Sequence, residues 1–395
     1  MKRPFYPLLA AISILLIALP ARTARRPRYG GTLRLEIEAA IHSLDPAVAA
    51  ASPAEAAAKE QLDALLYDYR GDHRGESRGA GGTFTGSGAF RISAWEPGKH
   101  VVLAANDDAP GGRPFLDAID VQMGRPARQR MLDLELNRAD VAEIPAGDAR
   151  QAAARGIRLS ISNPDELVAI EFAPGRKIAE DAPARQALSL AVDRAAIAAF
   201  LLQKEGQAAG GILPQWSSGT AFLFPTTFDP ASARQLWSEI PGSPKLMLGY
   251  DSDDPLEHMI AERIAVDAQA AGISLAAQPS ASGATARADD RGAVDARLIR
   301  WRMPSPRPGP ALADFVAFAG PQAALGAPPL PDAPDKASPE QIYQCEAGII
   351  AEGRVIPLVW LPQVYGLSAR VRDWNAPAPG AGWPLADVWL DGGAP

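Results

Sequence analysis

The chain has 395 residues, 47% of them apolar, which marks an ordinary globular protein and excludes a disordered one. Lys and Arg number 39 against 46 Asp and Glu, a net charge of −7, which argues against a phosphate-backbone partner and hence against nucleic acid. Cys345 is the only cysteine, so no internal disulfide is available in an oxidising compartment, and a small buried hydrophobe is its simplest role.

Residues 1–24 read as an export leader: Lys2 and Arg3, the apolar run Leu8 to Leu19, then Pro20 and the small residues Ala21 and Ala24. The run falls short of the roughly 20 residues a bilayer span needs. No cysteine lies near the expected cut to carry a lipid anchor, so a soluble periplasmic product is expected.

The period-2 alternation of Leu33, Leu35 and Ile37 with Arg34, Glu36 and Glu38 predicts a half-buried strand. PAEAAAKEQLDALLY (Pro53 to Tyr67) predicts a helix with a Leu62, Leu65, Leu66 stripe. A polar, glycine-rich seam follows. GSGAFRISAW and KHVVLAAND then predict two strands joined by a turn at Pro97-Gly98, with further strands at Phe115 to Gly124 and Asp165 to Pro174. One long helix is expected from Asp181 to Gln203, with Ala187, Leu188, Ala191, Val192, Ala195 and Ile197 as its apolar face.

Glycines 206, 210 and 211 suggest a change of domain. Beyond them, a short helix from Asp229 is followed by KLMLGYDSDD, a helix ended by Gly272, and ISLAAQ, a strand–helix–strand crossover of parallel type. DARLIRW predicts a strand leading into a proline-rich turn, Ser338 to Gly353 a helix, and VIPLVWLPQVYGLSARV a strand-like tail. The expected organisation is a first lobe of residues 25–208 plus 354–395, a second lobe of 209–353, and a ligand cleft between them.

Catalytic motifs do not assemble. His42, His73, His100 and His258 lack metal-ligand spacing, and Cys345 has no neighbouring histidine. Gly86 and Gly88 begin a dinucleotide-like spacing, but Arg91 occupies the third glycine position and a strand follows. Asp107 with Asp108, and Asp251 with Asp253 and Asp254, read as loop-solvating acids. The chain is read as a non-enzyme with no cofactor and no metal. Among eight tryptophans, Trp216 and Trp301 stand out because each sits beside a glycine or proline turn.

Five stretches in matching order resemble one family: GGTLRLEIEAAIHSLDPA, GSGAFRISAWEPGKHVVLAANDDAPGGRPFLDAIDV, DAPARQALSLAVDRAAIA, FDPASARQLWSE and the C-terminal IPLVWLPQVYGLSARVRDW with PLADVWL. They resemble the family 5 extracellular solute-binding proteins, the periplasmic receptors of peptide, nickel and related ABC importers. The resemblance implies an α/β fold of the two-lobed, type 2-like periplasmic binding class, in the large family 5 form, with a hinge between lobes. It implies a small-molecule or short-peptide ligand, ABC permease partners in the inner membrane and a monomer.

Two departures from the family pattern matter. The family places a small insert domain where this chain has only YDYRGDHRGESRGAGGTFT, so the seam joins the flanks of a largely missing domain. In peptide-binding members a second-lobe tryptophan precedes acids that meet the peptide amine. Here Trp301 is followed by Pro304 and Arg307 in place of those acids. The expected site is Trp301 as aromatic wall, Arg302 or Arg307 as polar selector and Trp216 as a second wall. Arg300, Arg302 and Arg307 point to a neutral or anionic solute. The alternative is a divergent homologue without transport role, structural or protein-interacting. A secreted hydrolase lacks a nucleophile and base.

Overall fold

The computed structural model describes residues 26–45, 48, 50, 52–66, 77–78, 84–85, 88–218, 224–242, 244–280 and 294–392. Before residue 162 the strands are β1 (Thr32–Glu36), β2 (Ser77–Arg78), β3 (Phe84–Thr85), β4 (Phe90–Glu96), β5 (His100–Ala105), β6 (Ala118–Gln122), β7 (Val141–Ile144) and β8 (Arg158–Ile161). Then come β9 (Glu166–Phe172), β10 (Gln207–Ala208), β11 (Leu246–Asp251), β12 (Leu275–Ser280), β13 (Ala296–Arg302) and β14 (Val355–Leu361). The chain ends with β15 (Val364–Leu367), β16 (Val371–Arg372) and β17 (Trp389–Leu390).

Two large mixed sheets result. The first is seven-stranded, in the order β4-β5-β6-β1-β7-β15-β8, and the second six-stranded, in the order β10-β14-β9-β13-β11-β12. Sheet membership therefore changes at 162–165 and again at 362–363. The boundaries expected near 208 and 353 do not coincide with it, because β9 and β14 both pair inside the second sheet. All seven residues of β14 are buried, so the C-terminal tail completes the second sheet before β15 returns to the first.

Leu33 and Leu35 of β1, and Ile37 just beyond it, are fully buried, as their alternation predicts. Glu36 is buried too, since the Ala127–Glu135 helix with its Asp133 covers that face. Asp140, fully buried, gathers Arg34 at 3.0 Å and Arg370, tying the start of the chain to its return. The Pro255–Ala270 helix, capped by Asp254 and ended at Gly272 (φ 79°), connects β11 to its parallel neighbour β12.

The long helix expected from Asp181 to Gln203 is broken. Helix Ala182–Ala191 stops at Val192, which is extended (φ −87°, ψ 120°), and Asp193 starts a new turn by accepting the Ala196 N–H at 2.9 Å. Arg194, buried, donates to Pro357 O at 2.7 Å, fastening this turn to β14; Ala195 is exposed. Local capping and a buried guanidinium overrode the helical periodicity. Conversely, the proline-rich stretch after β13, expected to be a turn, contains helix Pro308–Ala319. Its prolines stand in the first turn, where no intrahelical N–H is lost.

Most of the seam, residues 67–87, lies outside the described residues. Its flanks do not. The Gly88 N–H donates to Leu66 O at 2.9 Å, and Asn106 Nδ2 donates to Gly88 O at 2.8 Å. A Cβ on Gly88 would stand 2.3 Å from Leu65 O, so glycine serves close backbone approach here. Helix Pro53–Leu66 and strand β4 are thus joined directly, whatever lies between them. Gly88→Ala is expected to destabilise by about 2 kcal/mol or more. Replacing residues 68–86 by a short glycine-serine linker should leave Tm within a few degrees. Thermal unfolding of both variants checks this; a costless Gly88→Ala would remove the argument.

Candidate functional site

The two passages between the sheets lie side by side. Ser162 N–H donates to Gln363 O at 3.0 Å, Gln363 N–H donates to Ser162 Oγ at 2.9 Å, and Asp165 N–H donates to Leu361 O at 3.0 Å. Below this ribbon Gln363 Nε2 donates to Asp165 Oδ2 at 2.5 Å, and Gln363 Oε1 accepts the Tyr365 hydroxyl at 2.9 Å. That hydroxyl accepts from Trp383 Nε1 at 3.1 Å. Asp165 is fully buried, and its Oδ1 has no partner among the described residues. Burial pushes its carboxyl up to about 6, against the pull of Arg302 and Gln363.

Arg302 ends β13 directly opposite Glu166. Arg300 holds both Glu166 oxygens, at 2.8 and 3.0 Å, and also pairs with Asp254, while Arg302 Nη2 shares Glu166 at 3.2 Å. Burial works to raise the Glu166 carboxyl, but the two guanidiniums outweigh it and hold it at about 2. The first lobe also contributes groups at this boundary. Glu143 and Tyr365, paired partners on β7 and β15, lie within electrostatic range of Arg302, and so does Glu60 on helix Pro53–Leu66. Burial raises the Glu143 carboxyl, with Arg130 and Arg302 opposing; one of its oxygens accepts the Glu38 N–H at 2.9 Å.

Residues 31–321 match the model of the bacterial extracellular solute-binding proteins, family 5 middle. The chain belongs to this family. Over 125 residues it is 29% identical to the oligopeptide-binding protein AppA of Bacillus subtilis, a match spanning 31% of this chain and 23% of that relative. The solved structure of AppA in complex with a nonapeptide superposes with a TM-score of 0.67 at 15% identity, covering 93% of this chain and 100% of the other. The periplasmic binding protein DppA from Helicobacter pylori, in complex with peptide STSA, gives 0.69 at 13% identity over 92% and 99%. The substrate-binding protein CtaP from Listeria monocytogenes gives 0.66 at 14% over 92% and 100%. The two mixed sheets are thus the two lobes of a type 2 periplasmic binding fold.

In this family 5 protein the four expected site residues have four different fates. Trp301 is 2% exposed, its Nε1 donates to Asp314 Oδ2 at 2.8 Å, and it packs edge-on against Phe315 and Trp360. In this structure it has no face to offer a ligand. Arg302 does reach the boundary between the lobes. Arg307 is exposed at the start of helix Pro308–Ala319, its backbone N–H donating to Ser305 Oγ at 3.2 Å and its carbonyl accepting the Ala311 N–H at 3.1 Å. Trp216 is 37% exposed, and its Nε1 donates to Pro164 O at 2.8 Å, on the passage itself.

Trp301 and Arg302 are not brought together, because neighbours on a strand face opposite sides of the sheet. Of the three arginines expected to supply positive charge, Arg300 pairs with Glu166 and Asp254 and Arg302 shares Glu166, while no ion pair of Arg307 is found among the described residues. Sequence reasoning missed Glu60, Glu143, Asp165 and Tyr365. Glu60 and Glu143 lie in segments with no local signal; Asp165 precedes the strand DELVAIEF and could have been suspected as an acid at a crossing. Hollows of 630 Å³, beside Leu134, Arg155 and Leu367, and of 300 Å³, beside Met259 and Val266, include none of these residues. Among the described residues no cluster of three or more His, Cys, Asp or Glu is arranged to hold a metal.

Asp165 makes the fold sensitive to pH. A carboxyl whose folded pKa lies above its unfolded value stabilises the fold at low pH, and that contribution is lost as pH rises from about 4 to about 6. Asp165→Asn should reduce this loss by up to one proton's worth, about 1.4 kcal/mol per pH unit. Urea unfolding between pH 4 and 7 measures it; an unchanged slope would show that Asp165 titrates normally.

Proposed function

We propose that this chain is a periplasmic receptor that captures a small, peptide-like solute between its lobes and delivers it to the permease of an ABC importer. The observation that carries the reading is the paired passage at 162–165 and 362–363, where, among the described residues, the strand order moves from one sheet to the other. Two lobes joined by a narrow ribbon can rotate about it, and a solute that contacts both favours the closed arrangement by its differential affinity. The polar side chains at the boundary come from both lobes, as such a solute requires. The complexes of AppA with a nonapeptide and of DppA with the peptide STSA support a peptide-like ligand.

Export follows from the leader: we expect a soluble periplasmic protein, cleaved between about Arg22 and Arg25 and without a lipid anchor. Residues 1–25 lie outside the described residues. One observation favours the alternative, a solute-binding fold without transport role: Trp301, the expected aromatic wall, is consumed by the core.

Two measurements separate the readings. N-terminal sequencing of periplasmic protein should begin within the expected window, and full-length protein found only in detergent-solubilised membrane would contradict export. Native mass spectrometry of the same material should reveal a bound solute, and adding that solute to stripped protein should reduce the radius of gyration in X-ray scattering. No solute and no compaction would favour the non-transport homologue.

A further inference from the structure

The boundary between the lobes carries more acid than its arginines can match. Glu166 is taken by Arg300 and Arg302 together. Arg130, the nearest first-lobe cation to Glu143, is spent elsewhere: its Nη2 meets Glu38 at 2.9 Å, its Nε donates to the Glu143 backbone oxygen at 2.7 Å, and its Nη1 donates to Arg125 O. The Glu143 carboxylate keeps only the Glu38 N–H among the bonds described. Glu60 faces Arg302 and Asp314. Asp165 adds a second, independent sign. It is fully buried at the passage beside Arg302, with Oδ1 lacking any donor.

Excess negative charge and an acceptor without a donor call for one kind of group: a cation rich in N–H bonds. We infer that the cleft selects a cationic solute, bearing an amine or guanidinium group, with Glu143 and Glu60 of the first lobe as its counter-ions and Asp165 as an acceptor at the passage. This rests on the receptor reading above and departs from the neutral or anionic solute expected from Arg300, Arg302 and Arg307. Burial raises the carboxyls of Glu143 and Glu60, more than Arg130 and Arg302 at Glu143 and Arg302 at Glu60 offset. A bound cation relieves that imbalance, so the ligand contributes what the fold leaves out. Arg302, whose Nε is buried and unpartnered, remains available to a carbonyl or carboxylate oxygen of the same solute.

The test is calorimetric titration of the full mature chain with four tripeptides, Ala-Lys-Ala, Ala-Arg-Ala, Ala-Ala-Ala and Ala-Glu-Ala. The lysine and arginine peptides should bind about tenfold or more tightly than the alanine peptide, and the glutamate peptide most weakly. Glu143→Gln and, separately, the more exposed Glu60→Gln should each weaken the lysine and arginine peptides more than the alanine peptide and so erase most of that preference, with the unliganded melting temperature of Glu60→Gln unchanged. Tighter binding of the glutamate peptide, or a preference unchanged in both variants, overturns the inference and leaves the receptor reading standing. If no probe binds, the solute recovered from the native source decides. A cationic solute supports the inference, one without positive charge overturns it alone, and the absence of any solute overturns the receptor reading with it.

Discussion

The constraint on which the molecule depends is that its two sheets are stitched by a single two-stranded ribbon. Ser162 and Gln363 exchange hydrogen bonds through backbone and side chain, and Asp165 continues the pairing to Leu361. Backbone groups of the passages are satisfied partly within the ribbon and partly by its neighbours, Met303 N–H donating to Asp165 O at 2.8 Å and Trp216 Nε1 to Pro164 O at 2.8 Å. The same arrangement puts Asp165 and Gln363 in a region with little water. Their contact, and the chain from Gln363 through Tyr365 to Trp383, couples the passage to the first lobe's C-terminal segment. Movement of one lobe against the other has to be absorbed here, where the backbone itself passes between the sheets.

Electrostatics then divides the arginines into two kinds. Arg34 and Arg370 around Asp140, and Arg194 on Pro357 O, hold strands and turns in place. A buried acid between two guanidiniums has its hydrogen bonds and charge met locally, and its carboxyl is held low despite burial. Arg300 belongs with these, being fully engaged by Glu166 and Asp254. Arg302 is the exception. It shares one oxygen of Glu166, leaves its Nε unpartnered, and faces acids that come from the opposite lobe. An arginine without a closed set of partners at a boundary between lobes is poised to meet a solute.

Periodicity made most of the fold legible. The alternating strands at Leu33 and Ile37, the capped helix at Asp229, and the β11–helix–β12 crossover all rest on local patterns that burial of one face enforces. What failed was decided by distant contacts. The helix from Asp181 breaks at Val192 because Asp193 caps a new turn and Arg194 finds a carbonyl on β14, more than a hundred residues along the chain. The change of sheet at 162–165 leaves no glycine or proline cluster strong enough to outweigh the one at 206–211. That cluster instead serves close packing: a Cβ on Gly210 would stand 2.0 Å from Phe224 O.

The candidate site was legible by family position and illegible by local pattern, and β13 shows why. Trp301 and Arg302 are neighbours in sequence, which made them look like one site. On a strand they must point to opposite faces, so only one can reach the cleft. Ile299, Trp301 and Met303 fall on the face that packs against Phe315 and Trp360, while Arg300 and Arg302 share the other with Glu166. An apolar ring filling the core and a charged pair on the opposite face is the arrangement that desolvation favours. The consequence for function is direct. With the tryptophan committed to the core, recognition at this boundary passes to charge, and charge there is set by carboxylates contributed from the other lobe.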